Sequence, residues 1–244
     1  MIPKIIHCFW SGGPKTELAE KCLASWRRYA PDYEIREWTL EEVGGEKRWR
    51  GTKDDLPAFV AEAIAARKWA FVSDWVRFAV LKEHGGVYFD LDQELVKPIS
   101  ALPEGEWVAS LRLPSGKVDL APGAIALEKG SPIAQAMLDF YATAEFDPKL
   151  IVGEVMERKF ESLKVRKFEG LEVRKFESLK VLEPEVMCPL EANGKLKASE
   201  KTIGIHWFAF SWGGPYKKFI RWLSWHGFRP LVDALLRVRR SLKV

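Results

Sequence analysis

Residues 73–92 read SDWVRFAVLKEHGGVYFDLD, and the reading of this stretch decides the rest. Val72, Trp75, Val76 and Ala79 fall at the i, i+3, i+4, i+7 spacing of a buried helical face, so the spacing predicts a helix over 69–83. Gly85-Gly86 stops it, where a left-handed cap is expected. An extended run over 87–92 follows. Side chains alternate along a strand, which sends Val87, Phe89 and Leu91 to the core. Tyr88, Asp90 and Asp92 then share the opposite face, where the strand gives way to a loop. Two carboxylates two residues apart can hold a hard divalent cation through oxygen. Such a cation neutralises a diphosphate leaving group. The ring of Tyr88 is expected to lie against a ribose or base.

An isolated D-x-D means little, because a chain of this length shows one by chance about half the time. The whole pattern is more specific. S-D-x-x-R followed by L-x-x-x-G-G-x-Y-x-D-x-D is present as Ser73, Asp74, Arg77, Leu81, Gly85, Gly86, Tyr88, Asp90 and Asp92. It resembles the sugar-binding region of glycosyltransferase family 32, and is similar to the catalytic domains of large clostridial glucosylating toxins. The resemblance implies an α/β fold of the GT-A type, a Rossmann-like mixed central sheet flanked by helices. It implies a retaining hexosyltransferase using a UDP- or GDP-linked donor with Mn2+ or Mg2+. Asp92 would bind the metal and Asp90 the metal, ribose or sugar, while Asp74 and Arg77 would hold the donor sugar and its phosphate.

The flanking chain agrees. Lys4 to Trp10 reads as a first strand ending in Ser11-Gly12-Gly13-Pro14. Ligands of α/β sheets bind beyond the carboxyl ends of strands. Trp10 can stack on a base there, and the resemblance implies the same. Leu18, Cys22, Trp26 and Tyr29 mark a helix, 33–38 a strand, and Thr39 with Glu42 a capping box opening another helix. A helix is expected from Pro57 to about Arg67, strands over 107–113 and 124–127, and a helix capped by Ser131 with Pro132 at its first position. Strand–helix–strand–helix is the opening of an α/β layer.

Later comes a strand over 201–208 and then AFSWGG, which resembles the family's late segment that closes over the diphosphate. His206 could complete the metal site, Ser211 offer a hydroxyl to metal or phosphate, and Trp212 an indole N–H. The toxin-like relatives carry a carboxylate upstream of that Ser, and no acidic residue lies between Ile203 and Trp212 here.

Residues 158–181 are a tandem repeat, RKFESLKV–RKFEGLEV–RKFESLKV. A period of eight matches neither helix nor strand, and three copies are too few for a solenoid. It reads as a surface insertion. Domain organisation is therefore expected to be one domain over 1–215, carrying that insertion, and a tail over 216–244. The tail holds eight Lys or Arg against one Asp, so its charge is +7 and the remainder carries −3 of the net +4. A basic aromatic tail on a mildly acidic body suits an anionic membrane surface and argues against a nucleic-acid partner.

The 244 residues, 47% hydrophobic, suffice for one sizeable core. No run is long enough to span a membrane. The opening MIPKIIHCFW reads as strand, not signal peptide. Cys8, Cys22 and Cys188 fit no disulfide or metal framework and read as buried small hydrophobes of a reducing compartment. Cytoplasmic placement, peripheral on the inner membrane face, is expected. Expected partners are a nucleotide-sugar donor and a saccharide or lipid-linked acceptor. Two rivals remain. A haloacid-dehalogenase-type phosphatase also uses D-x-D, but its motif usually lies near the N-terminus and continues with Gly or Thr, whereas Gln93-Glu94 follow here. A non-enzymatic sugar- or partner-binding protein would use the repeat and tail.

Overall fold

The structure, a computed structural model, describes residues 1–40, 56–164, 179–191 and 194–209. Glu42 of the expected capping box, most of the repeat, Ser211, Trp212 and the basic tail lie outside the described residues.

Strand β1 (Ile5–Trp10) leads through helix α1 (Glu17–Tyr29) to strand β2 (Glu34–Thr39), which pairs with β1 in parallel. Thr16 caps α1, its hydroxyl accepting from the Ala19 N–H at 3.2 Å. Helices α2 (Ala58–Ala65) and α3 (Trp69–His84) precede strand β3 (Gly86–Phe89), which runs parallel to β1 on its other side. Strand β4 (Gln93–Leu95), strand β5 (Trp107–Arg112) and strand β6 (Val118–Leu127) follow, then helix α4 (Pro132–Thr143) and helix α5 (Val152–Lys164). Ser131 caps α4 and Pro132 occupies its first turn, as the sequence predicts. Strand β7 (Lys180–Val181), the short helix α6 (Pro184–Met187) and strand β8 (Gly204–His206) complete the described elements.

Six strands form one mixed sheet in the order β2-β1-β3-β6-β5-β7, and β4 pairs antiparallel with β8 in a small second sheet. This is the expected mixed sheet flanked by helices. Each face of the large sheet has its own core. Ile6, Cys8, Val87 and Phe89 meet Cys22, Leu23 and Trp26 of α1 on one side. Tyr88 and Ile125 meet Phe59, Val72, Phe78 and Tyr141 of the helices on the other. All three cysteines are buried and free.

Three local expectations need correction. The extended run ends at Phe89, not Asp92, because the Gln93 N–H turns back to the Asp90 carbonyl at 2.8 Å. Alternation therefore does not carry Asp90 and Asp92 onto one face; the turn does. Gly85 has φ +66° and ψ −172°, a glycine-only extended conformation and not the left-handed helical cap. The late strand spans only Gly204–His206.

Candidate metal and donor site

The site lies where β1 and β3 end and β6 passes beside them. A cavity of about 570 Å³ opens there, lined among others by Trp10, Thr16, Asp74, Arg77, Asp90, Asp92, Gly123 and His206. The Asp90–Gln93 turn holds the two carboxylates at its floor. Helix α1 anchors the chain leaving this turn. The Trp26 indole N–H donates to the Gln93 carbonyl at 2.7 Å, and the Ser25 hydroxyl accepts from the Leu95 N–H at 2.9 Å. The β4–β8 ladder sets His206 opposite Gln93. Ligand atoms of Asp90, Asp92 and His206 consequently lie within 4.8 Å of one another.

Each ligand candidate is held from behind. Asp90 Oδ1 accepts from Arg77 Nη2 at 3.0 Å, leaving Oδ2 3.9 Å from His206 Nε2. Asp92 Oδ1 is 3.0 Å from His206 Nε2, and its Oδ2 accepts from the Ala209 N–H at 2.6 Å. The Trp207 N–H donates to the Asp92 carbonyl at 2.9 Å, so the chain after β8 is pinned to the turn. Phe208 adopts φ +45°, a strained conformation for a bulky residue, and its ring stacks on His206 with centroids 4.1 Å apart.

Electrostatics separate these groups. Burial pushes the Asp92 carboxyl up, but the His206 charge, its hydrogen bond and the Ala209 N–H outweigh that and hold it below the usual range. Burial likewise disfavours charge on His206, yet Asp92, with a smaller push from Cys188, raises its pKa well above the ordinary imidazole value. Without a cation, His206 and Asp92 form an ion pair. Two carboxylates and an imidazole so close, with an oxygen of Asp90 aimed at the gap, fit a hard divalent cation, which would take the place of the imidazolium proton.

Arg77 is 2% exposed and bridges two carboxylates, Nη1 to Asp74 Oδ1 at 2.9 Å and Nη2 to Asp90. Burial lifts the Asp74 carboxyl to about 6 despite Arg77. The guanidinium also lies 4.9 Å over the Tyr88 ring, whose hydroxyl is 2.9 Å from the Ser73 hydroxyl. This corrects the role expected for Tyr88. Its ring is fully buried under the helical layer and does not line the cavity, so it cannot lie against a ribose or base. It supports Arg77 instead. Trp10 does line the cavity, its indole N–H donating to the Gly13 carbonyl at 2.8 Å.

Sequence reading missed Gly123. A Cβ built there would stand 2.5 Å from Asp90 Oδ2 and 2.8 Å from His206 Cε1. The only hint was a Pro122-Gly123 pair interrupting an apolar run that reads as strand.

Residues 16–109 match the family described as the glycosyltransferase sugar-binding region containing the DXD motif. That stretch is similar to the family's sugar-binding region. The match covers α1 through to the start of β5 and includes Asp74, Arg77, Asp90 and Asp92 of the site. A curated protein named "Toxin", from Photorhabdus asymbiotica, is 38% identical over 86 residues, which is 34% of this chain. The match spans only 3% of that toxin's length. Among solved structures, PaToxG glycosyltransferase superposes with a TM-score of 0.53 at 25% identity, covering 66% of this chain and 69% of its own. A glycosyltransferase involved in glycosylation of the major capsid of PBCV-1 is 12% identical with a TM-score of 0.47, covering 84% of this chain and 93% of its own. The first superposition shares the α/β architecture described above; the second is too loose to argue from. Among the described residues, no helix is long and apolar enough to cross a membrane.

Proposed function

We propose that the chain is a metal-dependent glycosyltransferase moving a hexose from a UDP- or GDP-linked sugar to a saccharide or glycolipid acceptor, with retention at the anomeric carbon, in surface polysaccharide synthesis. The observation that carries this reading is the convergence of Asp90, Asp92 and His206 within 4.8 Å, on the floor of a cavity also lined by Trp10 and Arg77. The match of residues 16–109 to the DXD family supports it.

Asp90, Asp92 and His206 would hold Mn2+ or Mg2+, whose positive charge would stabilise a departing diphosphate. The chain's own residues position the reactants. Trp10 stacks on the base beyond the end of β1. Asp74 and Arg77 hold the donor sugar and its phosphate, with Arg77 fixed in advance by two carboxylates and the Tyr88 ring. Ser211 would offer a hydroxyl to the metal or phosphate, and Trp212 an indole N–H. Transfer breaks the bond between the anomeric carbon and the phosphate oxygen, whose electron pair leaves with the diphosphate. A bond forms to the acceptor oxygen, which loses its proton. The basic tail over 216–244 holds the enzyme peripherally at the inner face of the membrane. Unchanged binding to anionic vesicles after deletion of 216–244 would discard that last element.

The test is a screen of nucleotide sugars for Mn2+-dependent release of UDP or GDP. Wild-type chain should hydrolyse at least one donor slowly in water, and Asp92→Asn should lose that activity. Hydrolysis of none would overturn the reading, and full activity of Asp92→Asn would overturn the metal assignment. The identity shared with the Photorhabdus toxin favours a second reading of the acceptor, in which the sugar goes to a target other than the cell's own polysaccharide. Transfer to protein, and to no saccharide, would select it.

A further inference from the structure

We infer that Gly123, carried on a bulge of β6, is the positioning residue that keeps the cation site open between Asp90 and His206. The inference rests on the metal-dependent reading above, and concerns a residue outside the D-x-D motif and outside the family match at 16–109.

The bulge is visible in the register. Val108 of β5 faces Ile125, and Ser110 faces Leu120, so two steps on β5 stand against five on β6. The surplus falls on Ala121–Ala124, beside the point where β3 ends. Bulges redirect a strand locally and are common next to functional sites. This one brings the Gly123 backbone up to the turn, where its carbonyl accepts from the Asp90 N–H at 2.8 Å. Asp90 is therefore held from two directions, by Gly123 through its backbone and by Arg77 through Oδ1 at 3.0 Å.

Glycine is needed at this position for space and not for conformation. Its φ lies outside the positive range that side chains avoid, unlike that of Gly85 or Gly86, so alanine fits the backbone here. What alanine lacks is room. Its Cβ would fall 2.5 Å from Asp90 Oδ2, the oxygen turned toward the gap, and 2.8 Å from His206 Cε1. Both collisions are with ligand candidates and neither is with β6's own core. Asp90 cannot yield freely, because Arg77 fixes its other oxygen. His206 cannot yield freely, because the Phe208 ring covers it at 4.1 Å. The added methyl must therefore spread the ligands.

The experiment titrates Mn2+ into the full chain by calorimetry and by the loss of free-ion electron spin resonance signal. Gly123→Ala is compared with wild type, and both are melted in EDTA beside Asp90→Ala and the double variant. Gly123→Ala should bind Mn2+ at least about tenfold more weakly, the scale of losing support for a ligand. Any fall in its EDTA melting temperature should shrink in the Asp90→Ala background, where the nearer of the two collisions is gone. Unchanged Mn2+ affinity in Gly123→Ala overturns the inference. So does an equal fall in melting temperature in both backgrounds, since that would make the glycine a backbone requirement of β6. If Gly123→Ala does not fold, folding of the double variant upholds the collision and its failure overturns it. Absence of Mn2+ binding by wild type would instead remove the metal reading, and this inference with it.

Discussion

The two ends of β3 each hold a buried histidine, and the two are set to different charge states, one neutral and one positive. At the entrance, His7 is fully buried and its Nδ1 accepts from the Trp38 indole N–H at 3.0 Å. Indole only donates, so the proton of the neutral ring sits on Nε2, which donates to the Gly85 carbonyl at 3.0 Å. Burial drives its pKa down to about 4. At the exit, His206 is also buried but faces Asp92, and its pKa rises instead. Burial alone fixes neither outcome. A donor and a carbonyl make a histidine part of the scaffold; a carboxylate makes it a charged group that a cation can replace.

The most severe way to break this contrast is at the exit. His206→Asn should lower metal-dependent donor hydrolysis by about 10²-fold or more, the cost of removing one group from a preorganised charged site. Steady-state release of nucleoside diphosphate reads it. The matching change at the entrance, His7→Gln, should leave activity per folded molecule within about twofold, because Gln can still accept from Trp38 and donate to Gly85.

At the entrance the glycines are also structural. Gly86 has φ +109°, and a Cβ there would stand 2.7 Å from the Ile5 carbonyl oxygen. Gly86→Ala should cost about 3 kcal/mol or more by chemical denaturation, through both strain and the parting of β1 from β3.

The pH dependence of stability in EDTA sharpens the comparison. A histidine with a lowered pKa gives stability that is complete above its unfolded value of 6.5 and drains away toward about 4. For His7 this amounts to roughly 3 kcal/mol at most, and His7→Gln should flatten that limb. His206 has the opposite sign. Its raised pKa gives stability that is complete below the unfolded value and is lost as pH rises through the folded one. The lowered Asp92 contributes above its unfolded value and loses that contribution as pH falls through the folded one. Denaturation curves from pH 4 to 9 would resolve the two histidine limbs, and the Asp92 limb lies at lower pH.

The smallest effect belongs to neither end. Arg67 sits at φ +53° after α2, with its N–H bonded to the Ile64 carbonyl and that of Lys68 to the Ala63 carbonyl. This is a glycine-preferring helix stop. Arg67→Gly should stabilise by up to about 1 kcal/mol, read as a small rise in melting temperature.

Legibility in the sequence divides by the span of the interactions involved. Contiguous features were legible: β1, α1, α3, the cap at Ser131, and the carboxylates after the double glycine. Each rests on neighbours a few residues apart. Features that depend on distant pairing were not. Alternation gave Tyr88 a face but could not say that α3 and α4 would cover it. His206 was recognisable as a candidate, yet its reach to Asp92 needs the β4–β8 register across more than a hundred residues. Gly123 matters only because β6 bulges beside β3, and no local pattern encodes a collision across strands.

The octapeptide RKFESLKV occurs twice, at 158–165 and 174–181. The first copy continues α5 as far as Lys164, whereas the last two residues of the second form β7 on the sheet edge beside β5. The equivalent Lys164 and Lys180 thus stand in a helix and on a sheet edge, and their surroundings choose between the two. Excising the middle octad would leave both anchoring copies verbatim. An ancestor or cousin with a different number of units could keep the same helix and the same edge strand, so that spacer length can drift without rewriting either attachment point.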